Sequence, residues 1–445
     1  MSSPISRAIP PSEVATTESP AAAPHEAAVA AVTAAARLLY ANGLTTQRTI
    51  DNVERLGRAF GLSVSMLPAW GEIVLRIEGE AIPGRLRVET LVAAPAGVEM
   101  NKVTRTLDVV DAAAAGRMDA AQALATLEAI GHVAPVSLVR LATMTAAGAA
   151  ALAIIFGASD PLTLGITAFS AGAGAVLRRG LSHVSSNFLA QPLCAALLAG
   201  LIGALASRLL PSADPYLVAL CPCMVLVPGP HLLNSALDLS RLRIALGMAR
   251  FGFASLVILL ICTGLIGGLS LGEESLPPPG RSIPVPLLYD VLAAGVAVAA
   301  YGTFFSMPWR TLAIPITIGM LAHASRWLVL ADGANLATGA FIACLIVGTI
   351  VTPVANRLRL PFSAVAFASV VSLIPGVFLF RLAAGLVEIM NAGEGASPAL
   401  LMPLVVDGTT AAVILLAMAF GLILPKMMLE HYFPKWSGVI PASAR

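Results

Sequence analysis

The sequence predicts a mostly α-helical membrane protein, with about ten transmembrane helices arranged as two five-helix inverted repeats behind a small soluble α/β domain. Three observations predict this fold class. The 445 residues are 57% hydrophobic and 12% charged, whereas soluble domains carry about 25% charged residues. The long apolar runs all lie after residue 135. Within those runs a Pro-Gly pair occurs twice, at Pro228-Gly229 and at Pro375-Gly376.

The N-terminal part is polar enough to lie outside a membrane. Residues 1–27 are rich in Pro, Ala and Ser and contain no apolar segment, which predicts a disordered leader rather than a secretory signal. Residues 28–135 have regularly spaced charges and lack an apolar run of about 20 residues, the length that a span needs. Two helical segments ended by Gly43 and Gly61 come first, then three alternating segments typical of strands, then two more helical segments. We therefore expect a cytoplasmic α/β domain at 28–135, called the head below.

Ten apolar runs follow the head. The first five make up a predicted membrane repeat at 136–271, the other five make up a second repeat at 286–425, and residues 426–445 form a predicted cytoplasmic tail. The runs lie at 138–157, 161–177, 188–207, 216–235, 245–271, 286–306, 311–330, 335–355, 361–385 and 400–424.

The distribution of positive charge predicts that both chain ends are cytoplasmic, because Lys and Arg accumulate in short inner loops. With the head inside, the outer connections hold only Arg208, Arg281, Arg326 and Arg381. The inner loops and the tail hold Arg178, Arg179, Arg241, Arg243, Arg250, Arg310, Arg357, Arg359, Lys426, Lys435 and Arg445.

The two Pro-Gly pairs indicate an internal repeat. A shift of 147 positions, the separation of Pro228 and Pro375, aligns the fourth run with the ninth. Because each half has an odd number of spans, the second half would be inserted upside down, as in many secondary transporters. Proline lacks an amide hydrogen and glycine tolerates unusual backbone angles, so each pair can break its helix. The half-helix after a break offers N–H groups and a positive dipole that suit a carboxylate. The alternative is a kinked helix that serves packing alone.

Polar side chains beside the breaks are the candidate substrate site. Asn234 and Asp238 are four residues apart and share one helical face. Asn234 can hydrogen-bond a substrate hydroxyl or carboxylate, and Asp238 can hold an ammonium group or carry a proton. Asp238 is alternatively an interfacial residue that pairs with Arg241 or Arg243.

Further candidates are ionisable residues in other apolar runs. Asp407 is a second predicted proton-coupling residue, since an acid within a span is a functional candidate by default, or it reaches water at the outer end. Arg381 either clamps a carboxylate or extends to the outer interface. His231 and His323 are proton relays or packing residues.

The remaining composition argues against other kinds of site. The five cysteines form no CxxC pair, and Cys221 and Cys223 of the "CPC" stretch are interpreted as packing residues. No spacing of His, Asp or Glu indicates a metal site, and we expect no cofactor. The net charge of +2 is too small to indicate a nucleic-acid partner.

The stretch "PGPHLLNSALDL" resembles the threonine/serine exporter (ThrE) family at Pro228, Gly229, Asn234 and Asp238, and the likeness covers about residues 30 to 425. Pro230 and His231 depart from that family's pattern. The resemblance implies a secondary active exporter of threonine and serine in the lipid of the bacterial inner membrane. It also implies an antiporter that is coupled to protons, and it is compatible with a homo-oligomer. It also leaves open a dicarboxylate exporter, because two-chain relatives are linked to succinate-like substrates. No P-loop occurs, in agreement with a gradient-driven mechanism.

The head has three candidate roles. The head lacks a GxSxG motif, so a membrane-anchored hydrolase is a minor alternative. The preferred role is regulatory: a cap that gates the cytoplasmic mouth or mediates subunit contact. A scaffold without transport is disfavoured, because it has no need for polar residues within the membrane.

Overall fold

The computed structural model describes residues 22–79, 86–185, 187–210, 212–272, 274, 285–358, 360–393 and 397–433. Most of the predicted leader, together with the tail beyond residue 433, lies outside these ranges. The described chain is mostly helical, with a single three-stranded sheet in the head.

The head contains the helices and strands that the sequence predicts. Helices α1 (Ala22–Ala41) and α2 (Thr46–Ala59) precede strands β1 (Leu62–Ala69), β2 (Gly71–Gly79) and β3 (Leu86–Ala93), and α3 (Met100–Ala114) and α4 (Ala120–Gly131) follow. The sheet is antiparallel in the order β1-β2-β3. Alternate residues of β1 and β2 are buried, which gives the sheet one face toward the helices.

Twelve helices follow the head among the described residues. They are α5 (Leu138–Ile155), α6 (Pro161–Val184), α7 (Ala190–Leu209), α8 (Pro215–Met224), α9 (Gly229–Ser240), α10 (Ile244–Leu271), α11 (Leu287–Phe304), α12 (Trp309–Ala331), α13 (Leu336–Arg357), α14 (Phe362–Val370), α15 (Gly376–Ala392) and α16 (Pro398–Tyr432). A short 3₁₀ turn at Val371–Leu373 links α14 to the second Pro-Gly pair.

Within the described ranges, seven helices are long and apolar enough to cross a membrane, namely α5, α7, α10, α11, α12, α13 and α16. The count rises to nine if the bent pairs α8–α9 and α14–α15 are each one span. The helix α6 coincides with the second predicted run but is not among the nine, because its Gly, Ser, Thr, Pro and Arg residues lower its mean hydropathy. The chain is therefore a helical membrane protein with seven to nine candidate spans.

Both Pro-Gly pairs interrupt a helix. The axes of α8 and α9 differ by 50°, and those of α14 and α15 by 65°. The second helix of each pair begins at the glycine, Gly229 or Gly376. Proline immediately before these glycines cannot donate to the preceding turn, which explains why each helix ends there.

Helix boundaries in the two halves correspond under the same shift of 147 positions. The shifted bounds of α6, α7 and α8 fall within one residue of those of α12, α13 and α14, and the shifted start of α9 coincides with the start of α15. The local propensities of the two halves therefore produce the same succession of a long helix, a long helix and a broken helix.

The two broken helices pack against each other at their breaks. A Cβ placed on Gly229 would lie only 1.4 Å from the Phe367 ring of α14, and one placed on Gly376 would lie 3.2 Å from the Met224 side chain of α8. The hydroxyl of Tyr301 donates to the Met224 carbonyl at 2.6 Å and so satisfies the end of α8. Cys221 and Cys223 are buried in the same core, as packing residues would be.

The head has its own hydrophobic core and lies against one end of the membrane helices. Its apolar cluster, which also includes Leu246 of α10, is distinct from the cluster of the membrane part, which includes Met100 of the head. Polar contacts join the two parts: the Arg48 guanidinium donates to the Leu360 carbonyl at 2.8 Å, and the Met100 amide donates to the Phe305 carbonyl at 2.9 Å. The end of the membrane part that contacts the head is called the head side, and the opposite end the far side.

Candidate functional site

The backbone of the first break is mostly satisfied by its own carbonyls. The Gly229 amide donates to the Val227 carbonyl at 2.9 Å, and the His231 amide donates to the Pro228 carbonyl at 3.1 Å. Pro228 and Pro230 have no amide hydrogen. The prediction that the first turn of α9 offers free N–H groups to a carboxylate is therefore wrong, and any ligand at this break must be held by side chains.

Asn234 and Asp238 face a large cavity between the head and the membrane helices, called the head cavity. Its volume is about 880 Å³, and α2, α3, α9, α13 and α16 contribute to its wall. Asn234 is buried, and its Oδ1 atom has no hydrogen-bond partner among the described residues. The two predicted residues thus share one face of α9, as expected from their spacing.

Asp238 is held by the head and by α10. The Thr46 hydroxyl donates to its Oδ2 at 2.9 Å, the Arg250 Nε lies 3.2 Å from the same oxygen, and the Arg243 Nη1 lies 3.6 Å from Oδ1. Arg250 is fully buried beneath Tyr40 of the head. The interfacial alternative is thus realised with Arg243, whereas Arg241 pairs with Glu430 at 3.2 Å.

Positive charge predominates around the head cavity. Seven basic residues and four acidic residues line it. The basic ones are Arg48, Arg55, Arg58, Arg241, Arg243, Arg357 and Lys426, and the acidic ones are Asp51, Asp111, Asp238 and Glu430. A cleft lined mainly by one sign of charge concentrates ligands of the opposite sign.

A second cavity on the head side borders the first Pro-Gly pair and is called the break cavity. Its volume is about 280 Å³, and Pro228, Pro230 and His231 form part of its wall. Four buried polar atoms around it have no hydrogen-bond partner in the described chain: Ser170 Oγ, Arg178 Nε, His231 Nδ1 and Ser306 Oγ. Buried polar groups ordinarily have partners, so this set is suited to a polar ligand.

The break cavity also carries charges of both signs. Arg178 lies with its guanidinium 4.8 Å from the Phe304 ring, and Glu99 of the head contributes a carboxylate. Burial raises the pKa of Glu99 above its usual range, while the neighbouring Ser306 hydroxyl and the charges of Lys102 and Arg179 act in the opposite direction. An amino acid carries a carboxylate and an ammonium group, and this cavity has a cation for the first and an anion for the second.

Arg381 and Asp407, which the sequence flagged separately, are paired. The Arg381 Nε lies 3.1 Å from the Asp407 Oδ2, and the Asp407 side chain is only 5% exposed. This pair joins α15 to α16, just as the pair of Asp238 and Arg250 joins α9 to α10. In the first pair the acid lies on the earlier helix (α9) and the arginine on the later one (α10), whereas in the second pair the arginine lies on the earlier helix (α15) and the acid on the later one (α16).

The second break borders a third cavity of only about 50 Å³ on the far side, called the far cavity. Pro375, Phe378, Ser372 and Arg326 contribute to its wall. The hydroxyl of Ser372 is within 2.5 Å of His323 Nε2, and His323 Nδ1 is 2.9 Å from the Asp290 Oδ2. The structure thus gives His323 two partners.

Sequence reasoning missed Asp290 and Ser372. Asp290 is an acid near the start of the apolar run 286–306 and had the same signal as Asp407. Ser372 had no signal, because a serine in an apolar helix usually bonds to its own backbone.

Two family models cover most of the chain. The one described as a putative threonine/serine exporter matches residues 30–272, more than half of the sequence, and the one described as Threonine/Serine exporter, ThrE, matches residues 290–428. The chain belongs to this family. One Pro-Gly break lies in each matched region. The printed description of this family is that of threonine/serine exporters, which are transport proteins.

Individual similar proteins give less information about this chain than the family models do. An uncharacterized protein of Haemophilus influenzae is 26% identical over 148 residues, which are 33% of this chain and 49% of that protein. The chain thus matches about half the length of this relative. No solved structure matches the chain.

For a member of the threonine/serine exporter family, the predicted site residues lie in five places: three cavities, one ion pair and the contact between the broken helices. Pro228 and His231 line the break cavity, whereas Asn234 and Asp238 line the head cavity. Pro375 lines the far cavity, Arg381 pairs with Asp407, and the two glycines lie where the broken helices touch. The structure therefore brings both breaks together but separates the polar residues that follow them.

Proposed function

We propose that this member of the family is a secondary active exporter of threonine and serine across the bacterial cytoplasmic membrane, an antiporter coupled to the proton gradient. The supporting observation is a pair of corresponding cavities at the two breaks. The break cavity has about 280 Å³ on the head side, and the far cavity has about 50 Å³ on the opposite side.

The two cavities are related by the shift of 147 positions that relates the helix boundaries. The shift takes Pro228, Arg179 and His231 of the break cavity to Pro375, Arg326 and Phe378 of the far cavity. This relationship supports two five-helix inverted repeats at 136–271 and 286–425, with α6 included as a span. In such a protein, rocking of one repeat against the other opens one cavity while it closes the other.

Substrate binding is proposed at the break cavity. Arg178 would hold the carboxylate, Glu99 the ammonium group, and Ser170 and His231 the hydroxyl of threonine or serine. These polar atoms line a cavity bounded by Pro228 and closed by the contact of Gly229 with the second broken helix. Asn234 would act from the head cavity, and Pro375 and Gly376 would serve the same substrate when the far side opens.

The ion pairs of the fifth helix in each half are proposed as gates. Asp238 with Arg250 would hold the head side, and Arg381 with Asp407 would hold the far side. Protons that reach Asp238 or Asp407 would weaken these pairs and couple export to the proton gradient. The head, proposed as a soluble cytoplasmic domain with both chain ends inside, would control the head-side gate through Thr46.

Export of dicarboxylates such as succinate is the second candidate function. The observation that favours it is the ratio of seven basic to four acidic residues around the head cavity. A substrate with two carboxylates would be attracted more strongly to that cavity than a zwitterion would.

Counterflow in proteoliposomes tests both candidates. The full chain is reconstituted with internal unlabelled threonine, serine or succinate, and uptake of the labelled compound is measured. We expect uptake of threonine and serine, reduced about tenfold or more in Arg178→Gln because a charged hydrogen-bond donor is lost. His183→Gln, at an exposed position near the end of α6, is the control. Succinate uptake alone would support the second candidate, and absence of counterflow with all three would contradict both.

A further inference from the structure

We infer that Asp290, His323 and Ser372 form the site that carries the coupled proton in this exporter, with His323 as the group that is protonated. The inference rests on the proposed function, because it assigns the proton coupling of the same transport cycle to a particular group. It leaves the cavities and the gates as described above and adds His323 to the two gate carboxylates, as the group without which a pH gradient does not drive transport. Of the residues that line the far cavity, it uses Ser372 and Arg326.

The three side chains form a continuous buried chain across three elements. Asp290 belongs to α11, His323 to α12 and Ser372 to the 3₁₀ turn before Pro375. The His323 Nδ1 is 2.9 Å from the Asp290 carboxylate, and the Nε2 is 2.5 Å from the Ser372 hydroxyl. Their exposed fractions are 4%, 0% and 5%. Removing such polar groups from water is costly, so the arrangement has a role beyond filling space.

The chain runs from the far side to the second helix break. Asp290 lies in the first turn of α11, near the end of that helix remote from the head. Ser372 lies three residues before Pro375, and it lines the far cavity. A proton that enters the far cavity would therefore reach the Nε2 atom of His323 by way of the Ser372 hydroxyl, next to the backbone hinge of the second broken helix.

The proton transfer can be followed atom by atom. In the neutral imidazole, Nδ1–H donates to the Asp290 carboxylate, and Nε2 accepts from the Ser372 hydroxyl. When an incoming proton binds Nε2, the imidazolium donates to the Ser372 oxygen, so the Ser372 hydroxyl hydrogen must turn to another acceptor. The positive charge gained by the ring lies beside the negative charge of Asp290. Loss of the same proton reverses each of these steps.

Charged and titratable groups around the imidazole are compatible with this role. Asp290 faces it from α11, and Ser372 faces it from the turn after α14. On α12 itself, Arg326 lies one turn after His323, interacts electrostatically with Asp290 and lines the far cavity. The Asp290 carboxylate thus interacts with both His323 and Arg326. Protonation of His323 therefore changes how strongly Asp290 interacts with Arg326. Because Arg326 lines the far cavity, this interaction can transmit the protonation state of His323 to that cavity.

The first half of the chain has no equivalent site. The shift of 147 positions takes His323 to Val176 and Ser372 to Val225, and both valines are apolar. The proposed proton site therefore occurs once per chain, in the second half, and is not part of the internal repeat.

The same three residues also have the order of a serine hydrolase triad, with Nε2 toward serine and Nδ1 toward aspartate. The far cavity argues against this use. It measures about 50 Å³, and Ser372 is nearly inaccessible within it. An acyl substrate has no room beside the Ser372 hydroxyl.

The test separates coupling from transport in proteoliposomes of the full chain. For His323→Gln we expect threonine counterflow to remain, because counterflow needs no gradient, while accumulation driven by an imposed pH difference is lost. Asp290→Asn should reduce the driven accumulation as well, with counterflow retained. His431→Gln, in the exposed last turn of α16, serves as the matched control and should keep both activities. A trapped pH-sensitive dye measures proton movement in the same vesicles.

Three results would overturn the inference. Unchanged pH-driven accumulation in His323→Gln would exclude His323 as the proton carrier. Loss of both counterflow and driven accumulation in Asp290→Asn and His323→Gln, with both variants eluting as intact protein, would assign the chain a structural role. Covalent labelling of the unmodified protein by a fluorophosphonate, abolished in Ser372→Ala, would assign it to hydrolysis. Absence of counterflow in the unmodified protein would instead contradict the proposed function.

Discussion

Gly229 of the first broken helix lies directly against the ring of Phe367 in the second. A Cβ at this glycine would be 1.4 Å from Phe367 Cε2 and 1.6 Å from Cζ. An added Cβ would therefore force the buried Phe367 ring or one of the helices to move. Glycine suits the start of α9 because the Phe367 ring of α14 occupies the space that a side chain would need.

We therefore expect Gly229→Ala to destabilise the protein by about 3 kcal/mol or more, because one of the two broken helices has to move. The thermal unfolding midpoint in detergent measures this effect. Gly252→Ala on α10 is the matched control, since no atom lies within 4 Å of its added Cβ, and alanine favours a helix over glycine. An equal loss of stability in both variants would contradict the crossing of the two breaks.

Removal of the Asp238 carboxylate should loosen the head. Asp238→Ala leaves the fully buried Arg250 without its ion-pair partner, and breaking a buried pair in this way costs about 3–5 kcal/mol. Limited proteolysis within the head and the unfolding midpoint measure the change. The exposed Glu128→Gln is the control.

A companion variant distinguishes lost pairing from lost packing at the same place. The double variant combines Asp238→Ala with Arg250→Met. It removes the unpaired charge of Arg250 and should therefore restore part of the stability that Asp238→Ala loses. If the double variant is as unstable as the sum of the two single variants, the ion pair has no role in docking the head.

The positions of the two helix breaks can be predicted from the sequence, but the residues that contact the polar side chains beside them cannot. Proline and glycine act on their own turn of helix, so Pro228 and Pro375 predict where α8 and α14 end without any knowledge of the fold. The contacts of Asp238 with Thr46 and Arg250 depend on how the head is positioned, and no local pattern encodes that.

The same distinction applies to the ionisable residues. Asp407 and Arg381 were recognisable separately as charges in apolar runs. Their pairing follows from the angle between α15 and α16, so it could not be predicted. His323 was recognisable as a histidine in a span, and only the packing of α11 and the 3₁₀ turn gives it Asp290 and Ser372.

The stability of the head junction should depend on pH through Glu99. Burial raises the pKa of this carboxyl above its usual range. The folded state therefore holds the proton more tightly than the unfolded state does, and the charged carboxylate costs stability at pH values above its folded pKa. This cost disappears below the unfolded pKa.

Glu99→Gln should accordingly raise the unfolding midpoint at about pH 8 and change it little at about pH 4. Thermal unfolding at the two pH values checks this, with the exposed Glu72→Gln as the baseline. A larger stabilisation at the lower pH would reverse the sign and contradict the assignment of burial as the dominant cause.

Arg381 and Asp407 should behave as one unit on the far side. Because the Arg381 side chain is 30% exposed, solvent screens the pair, and we expect a coupling energy of about 1 kcal/mol. Arg381→Gln and Asp407→Asn should each lower the unfolding midpoint, and the double variant should be more stable than the sum of the two losses implies. The thermodynamic cycle of the four proteins measures the coupling. Additive losses would mean that the two groups act independently, and the pair could not then serve as the far-side gate.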